Sequence, residues 1–172
     1  SVLLIEEGED HKGWHALSAL CEALVEAGVT RRSIILALGG GMVGNVVGMA
    51  AGLLYRGVRY VEIPTTLMAQ TDGVLSNKQA INGRRGKNQF GLYHAPLFIW
   101  SDVACTLHEP ARQIRSAIVE GVKNGLVADV QWLERLSDLL RSGLEALRAR
   151  WFDFTLQLIR SKLPILERDP SE

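Results

Sequence analysis

Gly39-Gly40-Gly41-Met42-Val43-Gly44-Asn45 follows a short apolar run and opens a helical one. Glycines let a backbone approach a ligand closely. The first turn of a helix adds unpaired N–H groups and a positive dipole end. Together these suit a pyrophosphate. The spacing is not G-x-G-x-x-G and no P-loop lysine follows, so a tight structural turn explains the same residues. Pro64-Thr65-Thr66 closes a second apolar run. Hydroxyls beyond the carboxyl end of a strand suit a ribose or a phosphate, and equally a helix N-cap. The densest polar stretch runs from Asp72 through Ser76, Asn77, Lys78 and Asn82 to Gly86-Lys87-Asn88. A half-buried lysine there would bind phosphate or move a proton. The bland alternative is a hairpin whose Arg84, Arg85 and Lys87 face water. Glu120 and Lys123 are one helical turn apart. They read as a surface ion pair, or as a partly buried carboxylate able to ligate a divalent metal. His11, His15, His94 and His108 form no H-x-x-x-H signature, and Cys21 and Cys105 form no C-x-x-C.

These residues need a scaffold. Val2 to Ile5, Ile34 to Leu38, Tyr60 to Ile63 and Leu97 to Trp100 read as short strands. Trp14 to Ala27 and Val43 to Tyr55 read as helices, with Leu17, Leu20, Cys21, Leu24 and Val25 on one face and Gly28 as a stop. Strands alternating with helices imply an α/β fold with a Rossmann-like parallel sheet. After Pro110 only helical periodicity remains, over Ala111–Val127, Gln131–Leu147 and Trp151–Leu166. Pro164 is expected to kink or end the last helix. The division expected is an α/β domain over 1–106, then the start of an all-α domain over 107–172.

The chain has 172 residues, with 19 Lys+Arg against 19 Asp+Glu. This zero balance argues against a nucleic-acid coat protein or a polybasic membrane binder. At 47% hydrophobic and 22% charged, it has the profile of a globular chain. Two cysteines make no disulfide framework, so a reducing cytoplasm is the expected compartment. Ser33 to Tyr55 carries no charge, and Gly40, Gly44, Gly48 and Gly52 repeat every four residues. That is the pattern of a packed membrane helix. The three consecutive glycines argue instead for a strand, a turn and a helix.

In order, Gly8-Glu9-x-x-Lys12, Gly39-Gly40-Gly41-x-x-Gly44, Arg56-Gly57-Val58-Arg59, Pro64-Thr65-Thr66, Asp72, Lys78, Gly86-Lys87-Asn88 and Glu120-x-x-Lys123 resemble the sugar phosphate cyclases, the family of 3-dehydroquinate synthase. Asn45, the run Val74 to Ala80, and Ile114-Arg115-Ser116 with Val122-Lys123-Asn124 resemble its inosose-forming branch. Tyr93-His94-Ala95-Pro96 is similar to valiolone-type cyclases. Gly73 and Gly121 depart from the pattern.

The resemblance implies a lyase that uses recycled NAD and one divalent metal, cobalt or zinc, to turn a sugar phosphate into a carbocycle. Gly40, Gly41, Gly44, Asn45, Thr65 and Thr66 would hold the dinucleotide, with Glu9 and Lys12 on its adenosine side. Asp72, Lys87 and Asn88 would lie near the nicotinamide and sugar. Lys78 would handle a proton. Asn88 and Arg56 would approach the phosphate, Arg56 from a neighbouring subunit, so a homodimer is expected at full length. Glu120 would be a metal ligand and Lys123 would bond substrate hydroxyls. The family's metal-binding histidines would follow the segment Leu166–Glu172, and further N-terminal strands would precede Ser1. The 172 residues alone are therefore expected to be inactive and to bind metal weakly.

Overall fold

The structure is a computed structural model that describes residues 1–169. Pro170, Ser171 and Glu172, which end the expected Leu166–Glu172 segment and the 107–172 domain, lie outside the described residues. The chain divides into two units: Ser1–Pro64 with Asn77–Trp100, and Thr65–Ser76 with Ser101–Glu172. The second unit thus begins ahead of the expected boundary at 106 and takes in the segment after Pro64.

In the first unit, Trp14–Glu26 forms α1 and buries Leu17, Leu20 and Leu24. Gly28, at φ +79, closes it. Its N–H bonds to Val25 O at 2.9 Å and that of Val29 to Leu24 O at 3.0 Å, the paired bonds of a left-handed helix stop. Ile34–Gly39 is β1, Gly41–Leu53 is α2 and Arg59–Pro64 is β2. The two strands pair in parallel, Ile34 opposite Arg59 and Gly39 opposite Pro64. Parallel strands need a crossover, and α2 supplies it. The charge-free stretch is therefore strand, turn and helix. Among the described residues no helix is long and apolar enough to cross a membrane.

Lys78–Gly83 is β3 and Gly86–Tyr93 is β4, an antiparallel hairpin. Arg84 and Arg85 turn it in solvent and Lys87 is exposed. The core gathers Val46, Val47, Ala50, Val58, Tyr60 and Ile81 with the buried face of α1.

Two expected strands differ. Val2 to Ile5 forms no strand, and Val2 and Leu4 stand exposed without a ladder partner among the described residues. Leu97 to Trp100 runs beside β2 with one parallel bridge, Glu62 to Ile99. Leu97 N bonds to Tyr60 O and Trp100 N to Glu62 O, both at 2.8 Å, three residues on one side against two on the other, so no regular ladder forms. Beyond Trp100, Asp102 turns the chain by accepting from Ala104 N.

In the second unit, Leu67–Thr71 is α3, Ala111–Ala128 is α4, Val130–Arg141 is α5, Leu144–Ala149 is α6 and Trp151–Arg168 is α7. The expected single helix over Gln131–Leu147 is two, because Gly143 adopts φ +85 between them. Pro164 lies inside α7 and does not end it. Ser161, Lys162 and Ile165 around it are buried, and tertiary packing outweighs one lost backbone bond. Leu67, Ile114, Trp132, Leu136, Trp151, Phe154 and Leu158 form the core.

Gly121, a departure from the family pattern, explains how α4 fits. Trp132 Nε1 donates to Gly121 O at 2.7 Å. A Cβ at 121 would lie 2.6 Å from Leu158 Cδ2, with Trp132 and Leu136 in ordinary contact on the other sides. Gly121→Val should cost about 1–3 kcal/mol, the usual range for overpacking. Urea unfolding measures it, and an unchanged midpoint would refute this packing.

Candidate functional site

The glycine repeat on α2 has a concrete use in this unit. A Cβ at Gly44 would collide with Glu62 Oε1, one at Gly48 would lie 2.5 Å from Gln79 Oε1, and one at Gly52 would meet Leu92 at 2.8 Å. The ridge lets polar side chains from β2 and β3 press against the helix. Gln79 Nε2 donates to Tyr60 Oη at 2.8 Å, and Tyr60 Oη donates to the His94 carbonyl at 3.0 Å. The turn before α2 is open. Gly40 is the N-cap, in extended conformation, with no side chain capping the helix. A Cβ at Gly41 would find no atom within 4 Å. The first-turn N–H groups of α2 thus have no side-chain cap, as a helix start that binds an anion requires. Asn45 is half-buried one turn on.

The hairpin and the Glu9–His11 turn build a second cluster in the same unit. Lys12 Nζ donates to Asn88 Oδ1 at 2.6 Å. Asn82 Nδ2 donates to Glu9 Oε1 at 2.9 Å, and Asn88 N donates to Asn82 Oδ1 at 2.9 Å. Lys87 Nζ lies 3.5 Å from Glu9 Oε1. Asn88 takes φ +53, a conformation that asparagine tolerates better than most residues. Burial lowers the Lys12 pKa; the Glu9 charge opposes this and Lys87 adds to it. For Glu9, burial pulls upward, but the Asn82 hydrogen bond and the charges of Lys12 and Lys87 leave it below the ordinary value. Four sequence candidates, Glu9, Lys12, Lys87 and Asn88, thus meet. Lys78 sits half-buried opposite Tyr93. Arg56 is exposed, in a turn where it and Tyr55 both have positive φ.

In the second unit, Thr66 caps α3, its Oγ1 accepting from Ala69 N at 3.2 Å, so the capping alternative is realised. Its hydroxyl proton stays available to a ligand. Thr65 is half-buried beside it. Asp72 ends α3 and pairs with Lys162 at 3.2 Å. Glu120 and Lys123 form an ion pair along α4. Glu120 is the single carboxylate proposed for a metal. Zinc sites need three or four protein ligands, and among the described residues no three His, Cys, Asp or Glu side chains gather. These residues by themselves do not fit a metal.

Two residues escaped the sequence reading, and a third was read only as part of a polar stretch. Lys162 is only 2% exposed. Its signal is its place on the apolar stripe of α7, between Leu158 and Ile165. Glu62 is 5% exposed, an acid inside an apolar strand. Asn82 was one of many polar residues in its stretch, and only the hairpin turns it toward Glu9.

The 3-dehydroquinate synthase N-terminal family profile matches residues 2–116. The chain belongs to the 3-dehydroquinate synthase family. It is similar to 2-deoxy-scyllo-inosose synthase of Streptomyces ribosidificus, 44% identical over 158 residues, covering 92% of this chain and 39% of that one. A crystal structure of 2-deoxy-scyllo-inosose synthase complexed with carbaglucose-6-phosphate, NAD+ and Co2+ superposes with TM-score 0.69 at 40% identity, covering 72% of this chain and 34% of that one. The 2-epi-5-epi-valiolone synthase of Streptomyces hygroscopicus subsp. jinggangensis, with NAD+ and Zn2+ bound, superposes with TM-score 0.82 at 32% identity, covering 95% and 45%. The chain spans less than half the length of these relatives. The expected fold, a parallel-sheet α/β part followed by helices, stands.

The Asp72–Lys162 pair is asymmetric. The Lys162 side chain is 3% exposed and that of Asp72 is 29%. Removing the carboxylate takes one counter-charge from a buried cation, whereas removing the lysine leaves an acid that water reaches. Asp72→Asn should therefore destabilise the fold more than Lys162→Met. Thermal unfolding of both variants checks the order, and the reverse order would rule the argument out.

Proposed function

We propose that this chain is part of a phosphate-eliminating, carbocycle-forming lyase, a 2-deoxy-scyllo-inosose synthase acting on glucose 6-phosphate, with 3-dehydroquinate synthase and valiolone-type cyclases as the nearest alternatives. The observation that carries the reading is the meeting of Lys12 with Asn88 beside Glu9 and Lys87, in the same unit as an uncapped glycine turn. Family membership and the 44% identity to an inosose synthase support it.

Bound NAD would supply an oxidant for a substrate hydroxyl and return the hydride later. Gly40, Gly41, Gly44 and Asn45 would hold its pyrophosphate through backbone N–H groups and the α2 dipole. Glu9 would accept from a ribose hydroxyl, and Lys12 and Asn88 would donate to anionic oxygens. Thr65 and Thr66 are further cofactor candidates. Lys78, Asp72 and Lys123 are the candidates for moving protons and orienting hydroxyls. Arg56 and Asn88 are those for the phosphate. Lys162, the buried partner of Asp72, joins this group. Glu120 would need ligands beyond those described before it could help hold cobalt or zinc. The recycled cofactor makes the reaction redox-neutral.

A second reading is a nucleotide-binding segment without turnover. Among the described residues no three potential metal ligands gather. The two readings part on phosphate release. The full-length protein with glucose 6-phosphate, NAD and cobalt or zinc should release phosphate. Lys78→Ala should slow release about 10²–10⁴-fold, the span of acid–base catalysis. NAD binding without any phosphate release, or unchanged turnover in the variant, would favour the second.

A further inference from the structure

Glu62 lies in β2 under the first turn of α2. It is 5% exposed, and its Oε1 occupies the space that a side chain at Gly44 would take. Its carboxyl has no hydrogen bond or ion pair among the described residues, and burial pushes its pKa up to about 7. The elements around it bring no compensating charge. β1 and α2 contain no charged residue, and Leu97 to Trp100 contain none. From β3, Gln79 approaches Tyr60. On β2 itself, Tyr60 is the titratable neighbour. Its phenol is raised by burial and then by the Glu62 charge. His94 stacks on Tyr60, ring centroids 5.4 Å apart, with its Nε2 3.0 Å from Val58 O.

We propose that Glu62 is a positioning residue that couples protonation to dinucleotide binding. Neutral, it supports the glycine turn from below and leaves the positive end of α2 to the pyrophosphate. Ionised, it draws on that same dipole end and places a second negative charge beneath the same turn, in a poorly screened interior. The proposal rests on the dinucleotide reading of Gly40 to Gly44. It explains why a carboxyl is kept buried without a partner at the closest approach of strand to helix.

The test is NAD affinity of the full-length protein at pH 6 and pH 8, in wild type and in Glu62→Gln. If only the neutral form binds, a group titrating near 7 lowers apparent affinity about tenfold across that interval. Glu62→Gln, always neutral, should bind alike at both. ADP, which keeps the pyrophosphate without the nicotinamide, should follow the same pattern. NAD binding whose pH dependence is the same in both proteins overturns the coupling alone. No NAD binding at either pH overturns the dinucleotide reading and the coupling with it.

Stability reads the same group without ligand. With its pKa raised on folding, Glu62 keeps a proton in the native state that the unfolded chain has lost between about pH 4.5 and 7. Stability therefore falls as pH rises through that window, and Glu62→Gln should lack this component. If the variant fails to fold, an NMR titration of the wild-type Glu62 carboxyl replaces it. Its midpoint should rise when NAD is added, and an unmoved midpoint overturns the coupling.

Discussion

The approach of α2 to the strands beneath it governs the first unit. Three glycines one turn apart remove the side chains that would hold helix and sheet at ordinary distance. Glu62 and Gln79 enter the space this leaves, and Tyr60 anchors Gln79 from below. A larger residue at Gly44 or Gly48 would collide with a buried polar group rather than with a yielding methyl. The same geometry fixes where the N-terminus of α2 opens, because the turn Gly39 to Gly41 must bring the chain from the end of β1 into the first helical turn. Packing and anion-binding capacity therefore arise from one constraint.

The second unit solves a different problem. Its helices bury Trp132, Trp151 and Phe154 in one cluster, and some of its polar groups are met locally. Thr66 and Asp129 cap helices. Glu109 accepts from Leu67 N at 2.8 Å, a bond that partly offsets the rise burial imposes on its pKa. Lys162 is met from farther along the chain. A lysine on an apolar stripe is costly unless it meets a carboxylate, and Asp72 supplies one from the end of α3. Such a pair adds little stability over apolar side chains of similar volume.

Much of the scaffold was legible. Apolar runs gave β1 and β2, and the glycines at 28 and 39–41 marked where helices stop and start. These signals are local, governed by hydrogen-bonding period and backbone sterics. The errors arose where a tertiary partner decides. Val2 to Ile5 is apolar but has no ladder to join. Gly143 breaks one apparent helix, because left-handed backbone at a loop is compatible with either packing until α6 and α7 form. Pro164 fails to end α7 since the burial of its neighbours outweighs one missing bond.

The sequence by itself determined the order of elements, the neutral charge balance, the glycine turn and the list of polar residues able to bind or catalyse. Only the tertiary structure decided which of them meet. Lys12 and Asn88 lie 76 residues apart, Asp72 and Lys162 lie on different helices, and Glu62 faces Gly44 across a strand–helix packing layer. Spacing along a chain encodes local geometry, whereas these contacts depend on how separate elements pack. Burial then shifts proton affinity, upward for Glu62 and downward for Lys12, and no sequence motif carries that information.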